Sequence, residues 1–158
     1  FERALVLEPD NVEVSVTAAQ AMLNQSRYTR AQRILEPLVK TPEHKAKLGW
    51  RGHVVYGLAL SGMGRRQEAG EPLQKGLKEF PEEEKLSQDN GGLYAQALFR
   101  EGERKEAIKH YEKLLRLYPN VLALETDYAA LLLEDGQLDK AQKVLDKTGK
   151  VQTRNNKK

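Results

Sequence analysis

The apolar positions of this chain recur at helical spacing, in segments separated by short polar turns. From Ile108 to Leu115 the apolar side chains stand at positions 108, 111, 114 and 115, which places them on one face of an α-helix. A serine or a glycine lies between paired segments, at positions 26, 64, 102 and 136. Because glycine readily adopts the left-handed conformation that ends a helix, the pattern predicts pairs of helices joined by tight turns.

The paired segments form an internal repeat. An alanine stands five residues after each turn position, and these alanines are spaced by 38, 38 and 34 residues: Ala31, Ala69, Ala107 and Ala141. Another small residue precedes each turn: Ala19, Gly57, Ala95 and Ala129. Small residues let two helix backbones approach to ~8–10 Å. Each unit is therefore predicted to be an antiparallel helical hairpin, which buries too little surface alone and must stack on its neighbours.

The pattern predicts nine helices, counting one at the start of the chain, with turns near 24–28, 62–66, 101–104 and 135–138. Pro37 and Pro72 fall inside second helices, where we expect kinks. About four extra residues precede two of the units, around 46–49 and 84–87.

The best-formed unit resembles the tetratricopeptide repeat. It reads Tyr94-Ala95…Leu98…Gly102…Ala107…Tyr111…Pro119, and the resemblance extends over nearly the whole chain. The early tryptophan of that family is replaced in the four units by Ser15, His53, Gly91 and Glu125. The resemblance implies an all-α, right-handed superhelical solenoid of antiparallel helix hairpins. Helical-hairpin repeats of slightly longer period remain an alternative.

We therefore expect one tetratricopeptide-like array over residues 1–149, belonging to a longer array. Its divisions are a half-repeat at 1–11 and units at about 12–45, 50–83, 88–121 and 122–149. Residues 150–158 read as a polar, basic and disordered tail.

Composition excludes several classes of function. The formal net charge is only +3, and acidic and basic residues interleave, so no basic stripe for nucleic acid is expected. The chain has no cysteine, which excludes disulfides and thiolate metal sites but leaves a cytoplasmic or a periplasmic location open. No apolar run approaches the ~20 residues of a membrane span, so direct membrane insertion is not expected.

No constellation of catalytic or metal-ligating residues stands out. His44, His53 and His110 share no helix face, and His53 is interpreted as a packing residue. The run of three glutamates at 82–84 follows a proline at a predicted helix start, where carboxylates are stabilised by the helix dipole. The sequence at 90–92, Asn-Gly-Gly, lacks phosphate-loop spacing and marks a bend, a weak helix start or a close backbone contact. We expect a protein that is not an enzyme and takes no cofactor or metal.

The resemblance implies that the first helices line a concave groove that binds a peptide or a helix of a partner protein. Projected onto the fourth unit, the groove positions are Ala123, Asp127, Ala130 and Glu134. Adjacent apolar residues concentrate between the second and third units, with polar residues at the ends. The predicted partner-binding site is therefore Arg51, Val54, Val55, Leu58, Leu93, Gln96, Phe99 and Arg100.

Two other functions were weighed. The array could be a structural spacer or self-association segment of a larger assembly, such as a bacterial envelope or polysaccharide-export machine, joined through exposed array ends. RNA binding by a related repeat class is disfavoured because no pair of base-reading side chains recurs in each unit.

Overall fold

The computed structural model describes residues 11–156, with side chains as far as residue 149. This part of the chain is all-helical, as predicted, and contains ten helices and no strand. The helices are α1 (Val12–Asn24), α2 (Tyr28–Lys40), α3 (Pro42–Lys47), α4 (Gly49–Gly62), α5 (Arg66–Glu79), α6 (Glu82–Lys85), α7 (Gly91–Arg100), α8 (Arg104–Leu117), α9 (Leu122–Glu134) and α10 (Leu138–Asn156). The chain divides into two units, the first ending at Pro81 and the second beginning at Glu82.

Each unit holds two antiparallel hairpins. In the first unit α1 pairs with α2 and α4 with α5, and in the second unit α7 pairs with α8 and α9 with α10. Eight of the nine predicted helices fall within the described residues, and ten are present there because two short helices, α3 and α6, occupy the segments where extra residues precede the repeat pattern. Pro42 begins α3 and Glu82 begins α6. Proline and carboxylates are both favoured in the first turn of a helix.

The four hairpin turns share one geometry. The residue at the turn position has a positive φ in every case: Ser26 at 59°, Gly64 at 83°, Gly102 at 93° and Gly136 at 83°. In the first turn the N–H of Arg27 donates to Met22 O and the N–H of Ser26 donates to Leu23 O, both at 2.9 Å. The other three turns repeat both bonds. This pair of bonds is the Schellman ending of a helix, and it confirms the predicted turns.

Ser26 is the one turn residue of the four that has a side chain, and we expect Ser26→Gly to stabilise the protein by about 0.5–1 kcal/mol. The left-handed conformation costs an L-residue on the order of 1 kcal/mol, which exceeds the extra entropy that glycine loses on folding. Urea unfolding followed by circular dichroism measures the change. Gly64→Ala is the reverse control and lowers stability by a similar amount, since its φ is 83°. A loss of stability in Ser26→Gly would contradict this account.

The first unit is organised around α4. This helix buries eight of its fourteen residues, on more than one face, as a helix in the middle of a stack does. Its neighbours α1, α2 and α5 contribute the buried residues Ala19, Ala31, Leu35, Ala69 and Leu73. Gly57 shows how close the pairing is, because a Cβ added there would lie 2.6 Å from Leu73 Cγ.

The second unit has its core between α7, α8 and α9, with Ala141 from α10. Tyr111 on α8 is fully buried at the centre of this core and packs on Tyr128, with 6.0 Å between the ring centroids. The buried cluster comprises Ala95, Phe99, Ala107, Ile108, Tyr111, Leu114, Leu124, Tyr128, Leu131, Leu132 and Ala141. The small residues that define the repeat therefore lie in the core.

The positions where the family has its tryptophan are buried in all four hairpins, although none carries a tryptophan: Ser15, His53, Gly91 and Glu125. Gly91 begins α7, and a Cβ there would lie 2.6 Å from Leu114 Cδ2 and 3.0 Å from Lys85 O. The Asn-Gly-Gly sequence therefore marks a helix start at which two backbones come close.

The two ends of the described chain differ from the predicted boundaries. The last helix continues to Asn156, beyond the predicted end of the array at 149 and into the segment predicted to be a disordered tail. No proline follows Gly149, and lysine, glutamine and arginine are good helix formers, so nothing in the sequence stops the helix. The half-repeat expected at 1–11 lies outside the described residues except for residue 11, and so do residues 157–158. Both α2 and α5 run through their internal prolines.

Candidate partner-binding site

The apolar members of the predicted site are core residues of their own units. Val54, Val55 and Leu58 lie on α4 in the first unit, and Leu93 and Phe99 lie on α7 in the second. None of these five side chains is more than 5% exposed. At these positions a partner could therefore contact only the polar members.

In the first unit the polar member is Arg51 on α4. Its Nη2 donates to Thr17 Oγ1 on α1 at a distance of 3.2 Å. This bond links the first helices of two successive hairpins, α1 and α4, and holds the guanidinium on the face that those helices form.

In the second unit Arg100 makes the equivalent link between α7 and α9. Its Nη1 and Nη2 donate to the two carboxylate oxygens of Glu134, at 2.5 and 2.8 Å. The bidentate geometry fixes both side chains in one arrangement. Because the first helices of successive hairpins carry the two partners, this ion pair defines what we call the first-helix face of the second unit, formed by Gln96, Arg100, Ala123, Asp127, Ala130 and Glu134.

Gln96 is the third polar member, and its side chain is held by a hydrogen bond to a buried tyrosine. Its Nε2 donates to the Tyr111 hydroxyl at 3.1 Å, and that hydroxyl donates to Gly92 O at 3.3 Å. Burial raises the pKa of Tyr111, so the hydroxyl keeps its proton and serves as a fixed donor and acceptor. The Gln96 amide is thereby oriented, while its oxygen has no partner in the described part of the chain.

Asp127 belongs to the same face but is absent from the predicted site. It lies on α9 between Ala123 and Ala130, which are both exposed. Partial desolvation raises the pKa of Asp127, although its side chain is exposed. After burial, the negative charge of Asp127 is the second cause of the raised pKa of Tyr111. Asp127 is one of the groove positions projected from the sequence. It is absent from the predicted site because that site was chosen for its apolar residues.

Two of the three histidines, His53 and His110, are packed within the fold. Burial lowers the pKa of both His53 and His110. The Nε2 of His110 is hydrogen-bonded to Lys85 O at the end of α6, and its ring packs on Tyr94 at 4.9 Å between centroids. Within the described residues, no three His, Asp or Glu side chains come together as metal ligands would. In the same residues, no helix combines the length and apolar character that crossing a membrane requires.

Comparisons with known proteins agree with this architecture. Residues 98–155 match the tetratricopeptide repeat family. The crystal structure of MamA aligns over 99% of this chain and 87% of its own, with a TM-score of 0.50 and 19% identity. YrrB, described as a TPR protein with an unusual peptide-binding site, aligns over 96% of this chain and 74% of its own, with a TM-score of 0.51 and 15% identity. No curated protein matches the chain. The match over residues 98–155 and the fold shared with these solved structures show that the chain has the all-helical fold of tetratricopeptide repeat proteins.

Proposed function

We propose that this protein is an interaction scaffold that binds a segment of a partner protein on the faces formed by its first helices. The observation that carries the proposal is the first-helix face of the second unit. There, polar groups held by hydrogen bonds lie on the same two helices as two exposed alanines, so the face offers oriented hydrogen-bonding groups and small exposed side chains together. Such preorganised groups lower the entropic cost of binding a flexible segment.

The face suits an extended segment. Arg100 and Glu134 are locked by their bidentate pair, and Gln96 is held by Tyr111 with its amide oxygen directed to no protein partner. A backbone N–H of a bound peptide would satisfy that oxygen. YrrB gives a precedent for peptide binding by a protein of this fold. In the first unit, we propose Arg51 as a further polar contact. Its guanidinium is hydrogen-bonded to Thr17 on the first helix of the neighbouring hairpin.

The buried members of the predicted site, Val54, Val55, Leu58, Leu93 and Phe99, would support the polar contacts from within the cores. A glutamate at Leu58 or Phe99 would place a charge inside a core and unfold the unit. Tests of binding therefore need substitutions at the polar positions.

Peptides selected from a random displayed library against the immobilised protein test the proposal, with affinities measured by fluorescence anisotropy. We expect Gln96→Ala and Arg100→Ala to weaken binding of the selected peptides about tenfold, the size of one lost fixed polar contact. Arg116→Ala, which removes an exposed arginine from the second helix α8, is the matched control and leaves affinity unchanged. Failure to select any peptide, or equal affinities in all three variants, would overturn the proposal.

A self-association segment is the second candidate, and exposed leucines favour it. In the second unit Leu138 is 62% exposed and Leu117 is 55% exposed, and Leu133 and Leu122 are also exposed. Sedimentation velocity over a range of concentrations decides the point. A dimer that dissociates in Leu138→Gln or Leu117→Gln would support self-association, and a monomer at every concentration would exclude it.

A further inference from the structure

Exposed leucines lie along one stripe of each helix of the fourth hairpin, the pair α9 and α10. Leu122 and Leu133 are the exposed leucines of α9, and Leu138 and Leu145 are those of α10. One exposed polar residue stands between the two leucines of each helix, at a spacing that places it on the same stripe. We call this surface the end face, and it consists of Leu122, Thr126, Leu133, Leu138, Gln142 and Leu145.

The repeat shows which surface of the third hairpin corresponds to the end face. The third and fourth hairpins are offset by 34 residues, so Leu145 stands at the position of Tyr111 and Leu133 at the position of Phe99. Tyr111 and Phe99 are 0% and 3% exposed, whereas Leu145 and Leu133 are 40% and 48% exposed. The end face is therefore a second copy of a surface that the third hairpin buries, and here the surface is open.

In the third hairpin that surface is covered by a helix, α9. This first helix packs against both α7 and α8. It contributes Leu124, Tyr128 and Leu131 to the buried cluster that contains Tyr111 and Phe99, and the Tyr128 and Tyr111 rings lie 6.0 Å apart between centroids. The three α9 residues stand at i, i+4 and i+7, which is the spacing of one face of a helix. The second unit thus contains one filled example of this interface, and an amphipathic helix fills it.

We propose that the end face is a docking surface for an amphipathic α-helix of another protein, which lies on α9 and α10 as α9 lies on α7 and α8. The docked helix presents large apolar side chains at i, i+4 and i+7, and its opposite side is polar. Continuity with the interface inside the second unit carries this assignment, because the same repeat positions form the surface in both hairpins. In the described part of the chain no helix follows α10 to take that place.

The second unit of another copy of this chain has no free helix of this kind to offer. Its α9 buries Leu124, Tyr128 and Leu131 in its own core, where none of the three is more than 5% exposed. To present these side chains, the copy would have to open that core. We therefore assign the docked helix to a different protein whose apolar helix face is free before binding.

The two polar members of the end face do not oppose apolar docking. The Thr126 hydroxyl donates to Leu122 O at 2.9 Å, and Gln142 Nε2 donates to Asp146 Oδ1 at 2.8 Å. Both bonds lie within a single helix, so they persist when a partner covers the surface and the donated hydrogens stay paired. Burial of the leucines then supplies the favourable free energy of docking.

Binding of two designed peptides to the full chain tests the proposal, measured by the fluorescence anisotropy of a label on each peptide. The first peptide is a helix rich in alanine, glutamate and lysine that carries leucine, tyrosine and leucine at i, i+4 and i+7. The second has the same composition, with these three residues spread around the helix. We expect the first peptide to bind about tenfold more tightly, because it alone presents the three apolar side chains on one face.

Substitutions on the end face locate the binding. We expect Leu145→Gln and Leu133→Gln each to weaken binding of the first peptide about tenfold, the size of one large apolar contact. Both side chains are exposed, so the variants fold. Leu117→Gln on α8, at a side chain that is 55% exposed, is the matched control and leaves the affinity unchanged. Arg100→Ala also leaves it unchanged, so the end face and the first-helix face are tested separately.

Equal binding of the two peptides would overturn the inference, and so would binding of the first peptide that survives in both Leu145→Gln and Leu133→Gln. Sedimentation velocity of the chain without peptide covers the remaining case. A dimer that Leu145→Gln dissociates would show that a second copy occupies the end face, and this would overturn the assignment to another protein. A chain that is monomeric alone and binds the first peptide through Leu133 and Leu145 supports it.

Discussion

Gly76→Ala lowers the free energy of unfolding by about 1–3 kcal/mol, whereas Gly70→Ala on the same helix raises it by about 0.5–1 kcal/mol. The two glycines differ only in what a methyl group would meet. At Gly76 the added Cβ would lie 2.4 Å from Val54 Cγ2 and 3.0 Å from the Val54 backbone nitrogen on α4. At Gly70 nothing lies within 4 Å of the added atom.

The two signs follow from two different effects of the same substitution. Backbone atoms of α4 cannot move aside at Gly76 without separating α4 from α5, so the overpacking is not relieved. At Gly70 only the higher helix propensity of alanine acts. Urea unfolding of both variants measures the pair. If Gly76→Ala were as stable as Gly70→Ala, the close approach of α4 and α5 would be wrong.

Tyr111→Ala is expected to lower the free energy of unfolding by about 3–5 kcal/mol, the range for removing a large aromatic side chain from a core. Tyr111 is fully buried, packs on Tyr128, and bonds to both Gln96 and Gly92. Its loss leaves a cavity in the second unit and releases the Gln96 amide from its anchor.

Tyr111→Phe separates the ring from the hydroxyl. It keeps the packing and loses the two hydrogen bonds, so we expect a smaller cost of about 1–2 kcal/mol. Leu117→Ala, on the same helix but 55% exposed, is the control and changes stability by less than about 0.5 kcal/mol. Chemical unfolding gives all three values, and a Tyr111→Ala variant as stable as Leu117→Ala would show that the core is centred elsewhere.

The fold of this chain was readable from its sequence because the informative signals are local. A positive φ at Gly64, Gly102 and Gly136 is a property that glycine confers on its own position, and the small residues at Ala107 and Gly57 mark where two helices touch. These signals recur every 34 to 38 residues, so each hairpin shows the same pattern as the others. Ser26 also has a positive φ at its turn, although its side chain disfavours that conformation.

The tertiary structure alone decided which apolar residues belong to the core. Val54, Val55 and Leu58 on α4, like Leu93 and Phe99 on α7, have the spacing of a groove surface, but each first helix is packed on more than one side. A helical period of apolar residues shows that a face is buried and does not show what buries it.

Leu145 is the opposite case, an apolar residue at a repeat position that is exposed instead of buried. It stands at the repeat position of Leu35, Leu73 and Tyr111, all fully or almost fully buried, yet it is 40% exposed. In the described part of the chain no helix follows α10 to cover it. Burial at this position therefore depends on the helices packed around it, so the residue's own identity does not determine it.

The sequence by itself determined the all-α hairpin repeat, its turns and its close helix contacts, because those depend on the conformational preferences of single residues and on their spacing. Only the tertiary structure brought Gln96 to Tyr111, paired Arg100 with Glu134 and left Asp127 without a partner. These relations join residues between 15 and 34 positions apart. The pairing of charges across neighbouring helices depends on how the hairpins stack, and no local pattern of residues encodes it.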